Sequence, residues 1–280
     1  MSETFETYRP LMFAIAYRMM GSAMEAEDIV QEAYLRYQAT PAESIRALKP
    51  FLCTVVTRLC LDQLKSARAQ REEYIGPWLP EPLVTTSDGE LSALNDSLSM
   101  AFLVLLEQLN PVERAVFLLR EVFDYDYSEV AAMVGKSEPA CRQAFHRARQ
   151  HINAQRPRFD STPEEHSTIF GQFLQACAQG DMNGLVSVLA ADVTAWSDGG
   201  GKVSAALHPL VGRDRVAAFM LGLFKRKPQD VSITFAEING RAGLIVREGQ
   251  SVSVVITADV TGGQITALRL MRNPDKLRRV

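Results

Sequence analysis

Over residues 5–152 the apolar positions recur at helical spacing, and over residues 231–271 they alternate as in strands. The stretch FETYRPLMFAIAYRMMG puts Leu11, Phe13, Ala14 and Ala16 on a helix that Gly21 stops. SAMEAEDIVQEAYLRYQ restarts with Ser22 as N-cap and carries Ile29, Ala33 and Tyr37 at four-residue spacing. Lys49–Pro50 opens a third helix with Leu52, Val55, Val56 and Leu59 on one face. Pro77, Pro80 and Pro82 forbid helix through YIGPWLPEPL, and helix resumes from about Leu91. NPVERAVFLLREVF begins with Asn110 as N-cap, Pro111 at the first helical position and Glu113 closing a capping box.

After QRPRFDSTPEE the period changes. HSTIFGQFLQACAQ and MNGLVSVLA read as helices; VSITFAEI, AGLIVREG, SVSVVITADV and QITALRLM read as strands, several separated by Gly-containing turns. The expectation is a separate α+β domain with a curved antiparallel sheet, starting near residue 165.

Composition changes this picture little, but charge distribution changes it a great deal. With 280 residues, 47% hydrophobic, the chain has room for more than one core, and the early apolar run LMFAIAY is cut by Arg18. That is neither a signal peptide nor a membrane span, so a cytoplasmic protein is expected. Cys53, Cys60, Cys141 and Cys177 show no paired spacing, which predicts buried thiols and no metal. The net charge of −3 hides two basic segments. Residues 49–71 hold Lys49, Arg58, Lys65, Arg68 and Arg71 against Asp62 alone, and residues 139–159 hold Arg142, Arg147, Arg149, Arg156 and Arg158 with no acid. Residues 72–113 contain no Lys or Arg, but carry Glu72, Glu73, Glu81, Asp88, Glu90, Asp96, Glu107 and Glu113.

DYSEVAAMVGKSEPACRQAFHRARQHI is the most specific local signal. Ser128 is positioned to cap a short helix, Gly135 suits the left-handed residue of a tight turn, and Ser137 caps a second helix with Pro139 in its first turn. Cys141, Phe145, Ala148 and Ile152 should face the core, leaving Arg142, Gln143, His146, Arg147 and Arg149 outward. A helix with that face can enter a major groove, where Arg and Gln read base edges and further Arg residues hold phosphates. A solvated arginine-rich surface on an ordinary helical hairpin is the competing reading.

AEDIVQEAYLRY, KPFLCTVVTRLCLDQLKSARAQR and NPVERAVFLLREVFDYDYSEVAAMVGKSEPACRQAFHRAR together resemble a bacterial sigma factor of the extracytoplasmic-function (ECF) group. WLPEPL, SDGGGK and the terminal NPDKL resemble the subgroup that carries a fused SnoaL-like C-terminal extension. The resemblance implies a multidomain protein: two all-α sigma domains, the second a helix-turn-helix, followed by an α+β cone-shaped SnoaL-like barrel. Expected boundaries are 1–71 for the polymerase-binding and −10 domain, 72–90 for an acidic linker, 91–158 for the −35 domain and 165–280 for a regulatory domain. It implies core RNA polymerase, through its β′ clamp helices and β flap, and promoter DNA as partners, with no cofactor, metal or enzymatic activity. Asp28, Gln31 and Glu32 would meet the polymerase. Arg58, Asp62, Lys65 and Arg68 would approach the −10 element, and Arg142, Gln143, His146, Arg147 and Arg149 the −35 element. Many relatives have Asn where this chain has Arg58, which points Arg58 toward a phosphate. Loop 40–48 lies where the family captures a flipped base, yet it has no aromatic to stack on one.

The C-terminal domain poses the sharper question. Asp198, His208 and Asp214 are the available acid–base residues, and no sequence spacing pairs any two of them. GGGK lacks the phosphate-loop pattern and suits a tight approach between backbones. A regulatory role is therefore expected, with a small ligand in the cone as a further possibility. The prolines would hold 74–83 extended and present Trp78, Leu79, Pro80, Glu81, Pro82 and Leu83 to a groove near Asp198, Gly199, Gly200, Gly201 and Lys202. Asn273, Pro274, Asp275, Lys276 and Leu277 would contribute to that contact. A bifunctional protein retaining isomerase or cyclase chemistry, and a stand-alone helix-turn-helix regulator, are the alternatives.

Overall fold

A computed structural model describes residues 4–85, 98–155, 161–225 and 230–280; the side chains of residues 66–72 and 155 lie outside the description. Arg68 and Arg71 therefore fall outside it, as do Leu91, Asp88, Glu90, Asp96, Arg156 and Arg158. The chain forms two compact units, one from residues 4–73, 98 and 102–155, the other from residues 74–85, 99–101, 161–225 and 230–280.

The first unit is helical: α1 Phe5–Met20, α2 Ala23–Ala39, α3 Leu48–Glu72, α4 Met100–Leu106 from Phe102 onward, α5 Pro111–Phe117 with a following π-helical turn Leu118–Val122, α6 Tyr127–Val134 and α7 Glu138–Gln155. Its centre is α1, buried on every side from Ala14 to Met20. Arg18, read from sequence as a break in an apolar run, is itself in the core at 1% exposure. Its guanidinium donates to the Ala14 carbonyl at 3.0 Å and lies over the Phe123 ring. Desolvation lowers its pKa to about 10, because burial disfavours the charged form. Arg114, also buried, donates to the Met19 carbonyl at 2.6 Å and to Glu107 at 2.7 Å, satisfying the C-terminal end of α1.

The cap of α6 differs from expectation. Asp126, not Ser128, is the N-cap: it accepts from the Glu129 amide at 2.9 Å while Glu129 reaches back to the Asp126 amide. A carboxylate two residues upstream outcompetes the Ser hydroxyl, which donates to Asp126 instead. Gly135 closes α6 at φ +66°, in the left-handed region where a side chain is strained. In α7 Cys141, Ala144, Ala148 and Ile152 are buried, and Phe145 is half-buried against Phe117 and Tyr127.

The second unit contains α8 Pro163–Gln179, α9 Met182–Val188, β1 Leu189–Asp198, β2 Leu210–Val211, α10 Arg213–Lys225, β3 Val231–Ile238, β4 Arg241–Glu248, β5 Ser251–Thr261, β6 Gln264–Met271 and a 3-10 turn Pro274–Leu277. The six-stranded sheet runs β2-β1-β6-β5-β4-β3. It is mixed rather than antiparallel, because β1 lies parallel to β6. Both β1 and β2 escape the sequence reading: LAADVTAWSD is rich in Ala and Asp, which strands disfavour, and β2 has only two residues. Phe170, Phe173, Leu185, Val193, Val216, Met220, Leu244 and Leu268 fill the core between helices and sheet. Arg269 grips Asp259 with two bonds of 2.7 Å across β5 and β6.

His166 anchors α8 to the sheet, its Nε2 lying 2.9 Å from the Ala258 carbonyl, while Nδ1 has no partner among the described residues. Burial lowers its pKa below the usual histidine range. The unfolded chain takes up a proton near pH ~6.5 that the folded one resists, so this contribution is full above that value and drains as pH falls through the folded pKa. Urea titrations of the wild-type chain should show the C-terminal unit losing stability as pH falls below about 6.5. His166→Gln, which can still donate to Ala258, should flatten that loss; an equal slope in both would show that another group drives it.

Candidate functional site

The extended segment 74–85 is clasped within the second unit by three groups of residues. At its centre is Asp198, the last residue of β1, at 0% exposure. The Asp198 carboxylate accepts from the Tyr74 hydroxyl at 2.5 Å, from the Leu79 amide at 2.8 Å and from Lys276 Nζ at 2.8 Å. Lys276 also donates to the Leu79 carbonyl at 2.6 Å, so one ion pair holds both polar backbone groups of Leu79. The ammonium sits 4.1 Å from the Trp78 ring centre and 4.8 Å from that of Tyr74, cation–π contacts made where water is largely excluded. Burial, together with the Asp198 carboxylate, pushes the Tyr74 phenol up, so it stays a neutral donor.

The glycine run supplies the close approach that the sequence suggested. Gly200 has φ +58°, and a Cβ there would collide with Asn273 Nδ2 and lie 2.9 Å from the Tyr74 hydroxyl. A side chain at Gly201 would strike Ile75, and one at Gly199 the carbonyl of Val203. Asn273 donates to the Tyr74 hydroxyl at 2.8 Å and caps the 3-10 turn by accepting from the Asp275 amide. Lys202 pairs with Asp275, whose carboxyl it holds below the usual range. Leu277 is buried beneath the turn. In the segment itself Leu79, Pro80, Glu81 and Pro82 are buried, while Trp78 and Leu83 are half-buried.

A third group was not visible in sequence. At the β3–β4 turn Asn239, with φ +52°, accepts from the Leu83 amide at 3.0 Å and donates its own amide to the Leu83 carbonyl at 2.8 Å. The Thr85 amide donates to the Glu237 carbonyl at 2.9 Å, and Val84 forms an antiparallel bridge with Ile238. The segment thus ends by pairing with the edge of β3. Asn-Gly at 239–240 was a legible hairpin signal, but nothing marked it as a clamp.

The acid–base candidates do not converge. Asp198 is spent in the clasp, His208 and Asp214 are exposed, and none of the three lines the large cavity of this unit.

In the first unit, α7 presents Arg142, Gln143, His146, Arg147 and Arg149 on its exposed side. Arg142 pairs with Glu138 and stacks 4.3 Å from the Tyr127 ring, and Arg147 pairs with Glu113 at 2.6 Å. On α3, Lys65 and Asp62 form an exposed pair at 2.8 Å. Arg58 departs from the common face expected for it. Its guanidinium turns to the C-terminal carbonyls of α6, donating to Met133 at 3.2 Å and Ala132 at 2.9 Å. Those carbonyls lack helical partners and carry the negative end of the helix dipole, so they compete well for a cation. The 40–48 loop forms a 3-10 turn at Ala42–Ser44 with none of its three residues buried.

Three family models cover most of the chain: "Sigma-70 region 2" over residues 4–70, "Sigma-70, region 4" over residues 99–152 and "SnoaL-like domain" over residues 170–274. The "ECF RNA polymerase sigma factor SigJ" of Mycobacterium tuberculosis is 39% identical over 97% of this chain and 91% of its own length. The chain belongs to the ECF sigma factors. A second relative from M. tuberculosis, "Probable ECF RNA polymerase sigma factor SigI", is 31% identical over 99% of this chain and 94% of its own. The crystal structure of M. tuberculosis SigJ matches with a TM-score of 0.79 at 35% identity, over 97% of this chain and 96% of that one. Two sigma regions in series weigh against a stand-alone helix-turn-helix regulator. In this ECF sigma factor α6 and α7 are the helix-turn-helix of region 4, and the clasp lies between the region-linking segment and the SnoaL-like domain.

Leaving one member of a buried ion pair without the other costs about 3–5 kcal/mol. Lys276→Ala should therefore destabilise the second unit by about that amount in urea, followed by tryptophan fluorescence. The neutral double variant Asp198→Asn/Lys276→Gln, which leaves no lone buried charge, should cost the domain less than Lys276→Ala while still loosening its hold on Leu79. A cost below about 1 kcal/mol for Lys276→Ala would place the pair among weak surface bridges.

Proposed function

We propose that this ECF sigma factor binds core RNA polymerase in the cytoplasm, directs it to promoters, and is regulated by its SnoaL-like domain through the clasp on residues 74–85. The chain is not an enzyme on this reading. The observation that carries it is the Asp198–Lys276 pair, which spends a fully buried carboxylate on the backbone of the region-linking segment. A domain kept for catalysis would place such a group in its cavity.

The surfaces left for partners fit the same account. On α2 Asp28 and Gln31 are exposed and Glu32 pairs with Arg36, beside Met24, Tyr34 and Leu35, which are 41%, 38% and 52% exposed. Apolar side chains ringed by acids suit docking on the basic helices of a polymerase clamp. The outer face of α7 supplies the −35 contacts, with Arg142 and Arg147 exchanging Glu138 and Glu113 for phosphates or bases. Lys65 and Asp62 on α3 face the −10 region. Arg58 joins them once it leaves the carbonyls of α6, so −10 engagement requires that contact to open.

The test is transcription by core polymerase from the gene's own upstream region, with the full chain and with Asp198→Asn/Lys276→Gln. Loosening the clasp should change polymerase affinity or transcript yield by about fivefold or more, the scale of an ordinary coupling free energy. Equal affinity and yield in both proteins would end the regulatory reading and leave the sigma assignment intact.

A further inference from the structure

The SnoaL-like domain contains a cavity of about 540 Å³ that the clasp does not use. Pockets of about 300–1,000 Å³ are the size that takes a small organic ligand. Its wall is mainly apolar: Phe219 and Leu223 from α10, Ile233 from β3, Val254 and Ile256 from β5 and Leu270 from β6 are representative. Two charged residues reach it. Glu248 is exposed, at the end of β4, where water screens it. Arg272 is half-buried, and no carboxylate among the described residues pairs with it; its guanidinium donates to the Ser204 carbonyl. A guanidinium beside an apolar chamber and lacking a protein counter-ion is a site for an anionic head, and it can hold a carboxylate through two parallel bonds.

The cavity and the clasp are built from the same two stretches of chain. Ser204, Ala205 and Ala206 line the cavity and follow directly on Asp198 and the glycine turn. Leu270 and Arg272 line it and run directly into Asn273 and Lys276. Arg272 ties the two together, its amide donating to the Asp198 carbonyl at 2.8 Å and its side chain to Ser204. A ligand that draws the Arg272 guanidinium toward itself must alter its hold on Ser204, within six residues of the carboxylate at the centre of the clasp.

From these observations we infer that the cavity binds an apolar small molecule bearing one carboxylate, with its apolar body among Phe219, Leu223 and Ile256 and its head on Arg272, and that occupancy shifts the clasp on residues 74–85. The regulatory half of this rests on the clasp acting as proposed above; the binding half does not.

Calorimetry on the full chain with decanoate and decylammonium below their micellar concentrations, and decan-1-ol below its solubility limit, tests the binding half. Decanoate should bind with one-site saturation, at least tenfold more tightly than decylammonium. Arg272→Gln should weaken decanoate at least fivefold while leaving decan-1-ol within twofold, a split that general loss of structure would not give. Val254→Trp, which fills the chamber from β5, should abolish binding of all three with the circular dichroism spectrum unchanged. Absence of saturable decanoate binding, preference for decylammonium, or wild-type binding by Val254→Trp would each overturn the site. Polymerase affinity measured with and without saturating decanoate tests the second half. A change of at least fivefold that disappears in Val254→Trp supports the coupling. Binding without any change in affinity overturns the coupling and, if Asp198→Asn/Lys276→Gln does alter affinity, leaves the clasp reading standing.

Discussion

The buried Asp198–Lys276 ion pair organises the clasp on residues 74–85. Asp198 and Lys276 lie at 0% and 9% side-chain exposure, where removing two charges from water is costly unless their remaining bonding capacity is met. Here the matching groups come from the segment that joins the two sigma regions: the Tyr74 hydroxyl, the Leu79 amide and the Leu79 carbonyl. The pair therefore needs the segment as much as the segment needs the pair. Every other feature of the clasp serves that geometry. Gly200 lets Asn273 and Tyr74 approach, Asn273 fixes the 3-10 turn that carries Lys276, and Asn239 holds the far end at Leu83.

The same logic recurs in the helical half on a smaller scale. Arg18 and Arg114 are cations in a core, and each is satisfied in part by backbone carbonyls of α1. Arg58 does likewise with α6, but at an exposed site where the competitor is water or a phosphate and exchange is cheap. That contrast separates structural cations from exchangeable ones. Arg142 and Arg147, paired with exposed or partly exposed carboxylates, belong to the second kind. Surface pairs of this sort are worth little, so another anion can replace the carboxylate without a large penalty, as the proposed −35 contacts require.

Much of this is legible in the chain itself. Helical periodicity marks α1, α2, α3, α5 and α7, and the glycine turn at Gly135 marks the helix-turn-helix. The expectation that WLPEPL needs a groove comes from an awkward composition: a Trp and two Leu among prolines have no reason to be in a plain spacer. What the sequence conceals is long-range or register-dependent. Strand β1 hides because its Ala and Asp residues take their strand conformation from pairing with β6, not from propensity. Tyr74 and Asn239 act through partners more than a hundred residues away, a separation that no local pattern encodes. Arg58 sits on the helix expected for it, but its partner belongs to the end of a helix whose position no single-helix argument supplies.

Regulation through residues 74–85 requires the clasp to exist in the free protein. Amide hydrogen exchange on the full-length chain, without polymerase, measures this directly, because the Leu79, Leu83 and Thr85 amides each donate to a group of the SnoaL-like domain. In a free proline-rich linker these amides would exchange at the rate of an unstructured peptide. The clasp predicts protection at all three, with Leu79 losing it selectively in Asp198→Asn/Lys276→Gln. Unprotected exchange at Leu79 in the wild-type chain would contradict it.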